Sequence, residues 1–243
     1  IGPEIGDMAC GEYGEGKMTE PKNIFNYINE YFRHLERNNE FRALVTAGPT
    51  HEYIDPVRFI SNKSSGKQGY EIAESLKNNG FKTTLISGPT NLDPIDGVNL
   101  IKVNSAEEMF HKSLQCLPVD VAVFSAAVAD YKVKNKEKEK IKKKENMDLI
   151  LEKNVDILKH ISNHNSLRPK LVVGFAAETN ELRKNSLKKL SDKNCDWIIA
   201  NDVSNSEIGF NSEFNKVSIF YKNKNEEIIP KMKKSNIAKE IVN

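Results

Sequence analysis

Apolar and polar residues alternate along most of this chain in a way that predicts strands followed by helices. Short apolar runs with the length of buried strands are separated by longer stretches with helical spacing. We predict strands at residues 43–47, 83–87, 99–103, 120–125, 171–175 and 196–200, and helices at about 66–79, 105–115, 154–163 and 181–193. This alternation indicates an α/β fold, a Rossmann-like and mostly parallel sheet with helices on both faces.

The two ends of the chain depart from this alternation. Residues 1–20 hold five glycines and little periodicity, so we expect a loop there. Residues 21–37 predict an amphipathic helix with Pro21 near its start. Residues 216–230 predict a C-terminal strand hairpin, which a short last helix follows. We therefore place a small segment at 1–38 ahead of a main domain at 39–243.

Composition narrows the class of protein. The chain has 243 residues, 38% of them hydrophobic, which is enough for one sizeable domain. A net charge of +2 gives no general case for nucleic acid or membrane partners, and no apolar run reaches the ~18 residues of a membrane span. The three cysteines, Cys10, Cys116 and Cys195, form no CxxC pair and no metal-ligand spacing. Such a scattered set suits a cytoplasmic protein.

Residues 43–70 carry the most chemistry: a buried strand, a long polar loop and a helix start rich in small residues. Ser65, Gly66 and Gly69 lie at that helix start, where free N–H groups and the helix dipole favour an anion. An ordinary helix cap is the alternative. Arg58 and Asn62 lie in the loop, which is longer than a phosphate turn needs, so we expect it to hold a second substrate.

Two further strand ends supply candidate ligand contacts. In SAAVAD, Ala126 and Ala127 leave room for a ligand beside the backbone, and Asp130 suits a Mg²⁺-facing carboxylate, a hydroxyl acceptor or an ordinary turn acid. In GFAAET, Phe175 suits either a stacked base or the core. Polar groups follow on a helix and at the next strand end, namely Lys189, Lys193 and Asn201.

A basic run, KVKNKEKEKIKKK, occupies residues 132–144. Its composition is typical of a solvated, mobile segment. Because it directly follows Asp130, it could also close over phosphates and neutralise them, with Lys140 and Lys143 flanking the apolar Ile141. His160 and His164 have an i,i+4 spacing without a third metal ligand, which favours an exposed helix face.

Taken together, TAGPTxExIDPVRxISNxSSGKxGY, AAVADY, KIKK, GFAAET and ANDV resemble phosphopantothenate–cysteine ligases, from about residue 41 to the C-terminus and in family order. The resemblance implies ligation of 4′-phosphopantothenate with L-cysteine in coenzyme A biosynthesis. KIKK resembles the bacterial type, which uses CTP and Mg²⁺ (or Mn²⁺) and forms an acyl-cytidylate intermediate. Such ligases are usually homodimers; the hairpin near 216–229 and the strand after the basic run are candidates for that contact.

The resemblance also assigns roles to individual positions. It implies that Asn62 and Lys140 are catalytic, and that Arg58, Asn62, Ala126 and Ala127 contact phosphopantothenate or the acyl-cytidylate. Asp130 would face both CTP and the metal. Further nucleotide contacts would come from Gly48, Ser65, Gly66, Gly69, Lys140, Asn154, Val155, Asp156, Ile157, Phe175, Lys189, Lys193 and Asn201. Val155 departs from the family pattern, which has proline in KNPDI.

Residues 7–18, DMACGEYGEGKM, resemble the substrate-binding flap of phosphopantothenoylcysteine decarboxylase, a flavoprotein fused ahead of the ligase in bacteria. Cys10 matches the reactive cysteine of that flap. The resemblance implies that residues 1–38 are a remnant of the decarboxylase domain, without its flavin-binding body. We therefore expect FMN in the full-length bifunctional protein, and neither FMN nor decarboxylase activity in this chain.

Two alternatives stay open from the residues alone. One is a nicotinamide-dependent oxidoreductase on a Rossmann-like sheet, although GxGxxG is missing and Ser87-Gly88 stands where a ribose-binding acid is expected. The other is a non-catalytic fragment that binds a nucleotide or serves as a scaffold. We find no Walker A loop and no nucleophile–base pair for covalent catalysis.

Overall fold

The computed structural model describes residues 2–7, 11–38, 41–143, 146–202, 212–223 and 225–243, and only the backbone of residues 31–38 and 202. The chain divides into two compact units, Ile1–Glu40 and Phe41–Asn243. The candidate cysteine of the first unit, Cys10, lies outside the described residues.

The first unit contains a small hairpin where we expected a loop. Strands β1 (Glu4–Asp7) and β2 (Tyr13–Lys17) pair antiparallel, with Gly6 opposite Gly14. The expectation was wrong because glycines replace the apolar residues whose alternation would have marked the strands. The predicted helix is present as α1 (Pro21–Asn38).

The second unit alternates strands and helices as predicted. In chain order it contains β3 (Arg42–Ala47), β4 (His51–Tyr53), β5 (Phe59–Ser61), α2 (Lys67–Asn78), β6 (Lys82–Ser87), β7 (Asn99–Lys102), α3 (Ala106–Gln115), β8 (Val121–Phe124), β9 (Tyr131–Val133), β10 (Leu151–Lys153), α4 (Ile157–Ser162), β11 (Leu171–Glu178), α5 (Leu182–Lys193), β12 (Trp197–Asp202), β13 (Phe214–Tyr221), β14 (Glu226–Lys233) and α6 (Lys234–Val242).

Eight of these strands form one sheet in the order β14-β13-β12-β11-β8-β3-β6-β7. Six neighbouring strands of this sheet are parallel and follow the 3-2-1-4-5-6 order of a Rossmann fold, namely β7, β6, β3, β8, β11 and β12. Strands β13 and β14 add an antiparallel hairpin beside β12. The predicted α/β class and the C-terminal hairpin are confirmed. Since the order reverses between β3 and β8, a crevice is expected at that point.

The core lies on both faces of the sheet because successive strand residues point to opposite sides. On β3, Val45 belongs to the cluster that includes Ile72 of α2 and Ile237 of α6. Its neighbour Leu44 belongs to the other cluster, with Met109 of α3. Burial on both faces explains why the strands are continuous apolar runs rather than alternating patterns.

Three local features differ from the predictions. The long loop after β3 contains the β4–β5 hairpin. Helix α4 begins at Ile157 rather than near 154, because the side chain of Asp156 caps it by accepting from Lys159 N at 3.0 Å. Strand β11 continues to Glu178, so Phe175 lies within it. In the described part of the chain, no helix is both long and apolar enough to span a membrane.

The turns after β3 and β6 approach each other so closely that only glycine fits at position 88. A Cβ on Gly88 would lie 1.7 Å from the carbonyl oxygen of Pro49, which is a backbone atom that cannot rotate away. Gly80 offers a comparison, since a Cβ there would meet nothing within 4 Å although its φ is +84°.

We predict that Gly88→Ala lowers the free energy of unfolding by ~3 kcal/mol, because the turns must separate to admit the methyl group. Gly80→Ala should cost only about 1 kcal/mol, the penalty of a left-handed backbone. Urea denaturation of both variants measures the difference. An equal loss in the two variants would contradict the close approach of the turns.

Candidate active site

A cavity of about 910 Å³ opens at the carboxyl ends of the parallel strands, beside the switch point between β3 and β8. This is where open α/β sheets bind ligands. Its walls include the start of α2, the segment after β8, the end of β11 and one side of α5. Most of the predicted site residues line it: Asn62, Ser65, Gly66, Gly69, Ala126, Ala127, Asp130, Asn154, Val155, Asp156, Ile157, Phe175, Lys189, Lys193 and Asn201.

The segments that leave β3 and β8 run side by side beyond the sheet. Ala127 N donates to Gly48 O at 2.9 Å, and Ala129 N donates to Thr50 Oγ1 at 3.0 Å. These bonds hold Ala126 and Ala127 on a fixed strip of the cavity wall. Because their side chains are single methyl groups, a ligand can approach the backbone there.

The start of α2 forms a second wall. Gly66 precedes the helix with a φ of 77°, a left-handed value that favours glycine. A Cβ on Gly69 would lie 2.6 Å from Ala47 Cβ and 2.5 Å from Ser125 Oγ, so only glycine lets the helix come this close to the sheet. The N–H groups of a first helical turn have no partner within the helix, and they favour an anion.

Gly48 is not on the cavity wall, although we predicted a nucleotide contact for it. Its φ is +75°, and a Cβ on Gly66 would lie 3.4 Å from Gly48 Cα. Gly48 therefore packs against Gly66, and the absence of a side chain on Gly48 leaves space for the turn at the start of α2. Its direct contact with a triphosphate stays a prediction.

Two asparagines fasten the segment after β8. Asn62 Nδ2 donates to Val128 O at 2.9 Å. Asn154 Nδ2 donates to Ala129 O at 2.8 Å, and its backbone N donates to Asp130 O at 2.9 Å. The 154–156 loop is thereby held beside Asp130, whose exposed carboxylate lies at the cavity.

Two lysines of α5, Lys189 and Lys193, give the cavity wall positive charge. Lys193 Nζ contacts Asp156 Oδ2. Burial lowers the pKa of Lys189 below its ordinary 10.5; Glu178 opposes this shift and Lys193 adds to it. A lysine whose pKa is depressed by burial is stabilised in its charged form by an added anion.

A group of polar residues that no sequence motif predicted joins the C-terminal part of the chain to the start of α2. Lys234, at the start of α6, is 5% exposed and lines the cavity together with Lys67, Gln68 and Asn215. Gln68 Nε2 donates to Lys234 O at 3.3 Å, and Lys67 contacts Glu213. Burial lowers the pKa of Lys234, Lys67 lowers it further, and Glu213 opposes this shift. No local motif marks these residues, because the fold brings them together from distant positions.

Arg58 and Lys140 are not on the cavity wall. Arg58 Nη1 donates to Asp55 Oδ2 at 3.1 Å, and Arg58 Nη2 donates to Ile141 O at 3.2 Å. Lys140 is exposed and directly precedes Ile141. The guanidinium is therefore bound to the basic segment, and the substrate contacts of both residues stay predictions.

Asp55 is a fully buried carboxylate in the turn between β4 and β5. Its Oδ1 accepts from Val57 N at 2.8 Å and Arg58 N at 2.9 Å, and its Oδ2 accepts from Ile141 N at 3.1 Å. Burial alone would raise its pKa, but these N–H donors and the Arg58 guanidinium hold the pKa below 3.8. The group is therefore ionised at neutral pH.

The nicotinamide alternative gains no support from the end of β6. Ser87 ends that strand, is buried, and accepts from Tyr70 Oη at 3.1 Å. A ribose-binding carboxylate is expected at this point in dinucleotide-binding folds. Among the described residues no group of three or more His, Cys, Asp or Glu side chains could hold a metal ion by itself.

Comparison with known proteins points to one family. Residues 39–243 match the family described as DNA/pantothenate metabolism flavoprotein C-terminal domain. The whole chain is 42% identical to the coenzyme A biosynthesis bifunctional protein CoaBC of Haemophilus influenzae, and 40% identical to that of Bacillus subtilis. In both cases the chain spans 60% of the relative's length.

Solved structures agree with this match. The crystal structure of a CoaBC C-terminal domain is 39% identical, with a TM-score of 0.70, and the match covers 83% of this chain and 92% of that one. A Cab2 variant in complex with phosphopantothenate-cysteine is 16% identical, with a TM-score of 0.67 and 92% of each chain covered. The second likeness shows a shared fold alone.

We predict that binding of inorganic tripolyphosphate weakens as the pH rises through the depressed pKa of Lys189. An anion favours the protonated lysine, so above that pKa each binding event must take up a proton. The affinity should then fall by up to about tenfold per pH unit. Arginine stays charged, so Lys189→Arg should remove this part of the pH dependence.

Calorimetric titrations of the unsubstituted protein and the variant at several pH values measure the effect, since the ionisation of the probe cancels between them. Lys188→Arg, at the exposed neighbouring position, is the matched control and should behave like the unsubstituted protein. The same pH dependence in the Lys189→Arg variant would contradict a place for Lys189 in anion binding.

Proposed function

Because this chain belongs to the family of DNA/pantothenate metabolism flavoprotein C-terminal domains, we propose that it joins 4′-phosphopantothenate to L-cysteine in coenzyme A biosynthesis. The proposal includes CTP as the co-substrate, an acyl-cytidylate intermediate, and CMP and pyrophosphate as further products. The observation that carries it is one cavity that combines an anion-binding helix start, the small-residue strip after β8 and the lysines of α5.

In the first step, a carboxylate oxygen of 4′-phosphopantothenate attacks the α-phosphorus of CTP. The bond between that phosphorus and the bridging oxygen breaks, and pyrophosphate leaves with the electron pair. The protein's part is to orient the reactants and to offset negative charge. We assign charge neutralisation to Lys189 and Lys193, backbone donation to the turn Ser65–Gly66 and the start of α2, and base stacking to Phe175.

In the second step, the amine of cysteine attacks the acyl carbon, CMP leaves, and the amine loses a proton. We assign Asn62 to this step, because its amide lines the cavity and is held by Val128 O. An amide can donate a hydrogen bond to an acyl or phosphate oxygen, whereas a carboxylate cannot. Arg58 and Lys140 retain their proposed roles at the phosphopantothenate end and in the first step.

Magnesium fits the residues at the cavity. The ion is usually held by one or two carboxylates together with substrate phosphates, and the exposed carboxylate of Asp130 beside the cavity suits that arrangement. When bound there, Mg²⁺ would supply positive charge to the triphosphate oxygens. Mn²⁺ has the same preference for oxygen ligands.

We also propose that the chain is the ligase part of a bifunctional protein and forms a homodimer. The first unit would belong to the decarboxylase part of that protein, which would bind FMN. Exposed apolar side chains on the paired strands β9 and β10, and directly before β10, support an interface there: Tyr131 is 47% exposed, Ile150 70% and Leu151 46%. The edge strand β14, where Ile228 is 60% exposed, is the second candidate surface.

The direct test is release of pyrophosphate from CTP in the presence of 4′-phosphopantothenate and cysteine, with ATP as the alternative nucleotide. We expect pyrophosphate and 4′-phosphopantothenoylcysteine in equal amounts with CTP, and far less of both with ATP. Dependence on phosphopantothenate separates this reaction from simple nucleotide hydrolysis. Release of no pyrophosphate with either nucleotide would refute the ligase, and NAD(P)-dependent oxidation would favour the alternative.

For Asn62 we predict that Asn62→Asp forms the acyl-cytidylate but converts it slowly to product. The carboxylate loses the bond to Val128 O and places a negative charge beside the reacting acyl group. Acid quenching and chromatography should show about one equivalent of pyrophosphate per protein with little ligated product. Asn99→Asp adds the same charge at the exposed first residue of β7, outside the cavity wall, and should turn over normally. Normal turnover by the Asn62 variant would remove it from the second step.

A further inference from the structure

The basic segment is docked on the β4–β5 hairpin over residues 136–141. Lys136 Nζ lies 5.0 Å from the centre of the Tyr53 ring, and Glu137 N donates to Ile54 O at 3.0 Å. The side-chain partners of Ile141, namely Asp55 and Arg58, complete this contact. The segment therefore has a defined position, which its lysine-rich composition did not predict.

Ile141 is held at both of its backbone polar groups. Its N–H donates to Asp55 Oδ2, and its carbonyl accepts from Arg58 Nη2. Arg58 Nη1 closes the arrangement by pairing with the same Asp55 oxygen. We call these three hydrogen bonds the Ile141 clamp. Because Lys140 directly precedes Ile141 in the chain, the clamp also fixes the position of the Lys140 backbone.

We propose that Asp55 is a positioning residue for the first step, which holds the Lys140 segment in place through the backbone of Ile141. The proposal rests on the ligase function and on the role of Lys140 in it. Asp55 itself lies off the cavity wall, and its oxygens accept from backbone N–H groups and from the Arg58 guanidinium. Because the charge is buried and its oxygens are occupied by four donors, it gives the segment one preferred position.

The two oxygens of Asp55 have separable tasks. Oδ1 holds the turn through Val57 N and Arg58 N, whereas Oδ2 holds Ile141 N and the guanidinium. In Asp55→Asn the amide oxygen can keep the two turn bonds, while the NH₂ group faces two donors. The substitution should therefore release the segment and leave the turn intact.

Glu52 provides a matched control on the same hairpin. It is also a buried carboxylate, 4% exposed, but its Oε1 accepts from Ala106 N at the start of α3, at 2.9 Å. Glu52→Gln keeps an oxygen for that bond. It removes a buried charge without touching the basic segment.

The first measurement does not depend on activity. Limited trypsin digestion followed by mass spectrometry reports cleavage after the lysines between 136 and 143. We expect about tenfold faster cleavage there in Asp55→Asn and no change in Glu52→Gln, because cleavage follows the population of the released segment. Arg58→Lys, which cannot bridge Asp55 and Ile141, should cleave faster as well, and it covers the case in which Asp55→Asn does not fold. Unchanged cleavage in a folded variant would overturn the proposal.

The second measurement is a double-mutant cycle on single-turnover pyrophosphate release. Lys140→Gln and Asp55→Asn should each slow the first step, the latter by about 100-fold, the scale of an effect from misplacement. If Asp55 acts through Lys140, the double variant is no slower than Lys140→Gln alone. Additive losses would overturn the proposal. Absence of pyrophosphate from the unsubstituted protein would instead refute the ligase function, while the digestion still tests the clamp.

Discussion

The structure of the site depends on the close approach of backbone segments at the end of β3, where four glycines replace side chains. Gly48, Gly66, Gly69 and Gly88 each lie where a Cβ would come within 3 Å of a neighbouring atom. This approach brings the start of α2 against the sheet and places at the cavity the N–H groups that have no partner within the helix. A sheet of the same topology with ordinary residues at these positions would hold the helix farther out, and the anion-binding end would move with it.

Much of this arrangement could be predicted from sequence, because local and global signals agree. The buried strands are continuous apolar runs, and the helix starts follow them at short distances, so the α/β class and the strand ends were predictable. The motifs SAAVAD and GFAAET were predicted to contact a ligand because they lie at the carboxyl ends of parallel strands, where such folds bind ligands. The resemblance then gave these motifs an order along the chain, and residues from most of them line one cavity.

What could not be predicted depends on distances in space rather than on local pattern. Lys234 begins the last helix and shares the cavity wall with Lys67, yet no periodicity connects the two. The β4–β5 hairpin was not predicted because each strand has only three residues, too few for an alternating pattern. The docked position of residues 136–141 could not be predicted from composition, because a lysine-rich segment is normally solvated. Here its backbone N–H groups donate to Ile54 O and to the Asp55 carboxylate.

The β4–β5 hairpin joins the two residues assigned to different steps of the proposed reaction. Its turn clamps Ile141 next to Lys140, and β5 leads directly to Asn62, whose amide is bonded to Val128 O. One short element thus sets both positions relative to the segment after β8. Such coupling has a chemical reason: a reactive acyl-phosphate must be formed and consumed in one place, before water reaches it. The side chain of Arg58 lies in this turn and is 37% exposed, while its guanidinium is bound to Asp55 and Ile141. An anionic substrate that reached Arg58 would therefore compete with Ile141 O for the same donor. Binding of that substrate would weaken the bond that holds the segment next to Lys140.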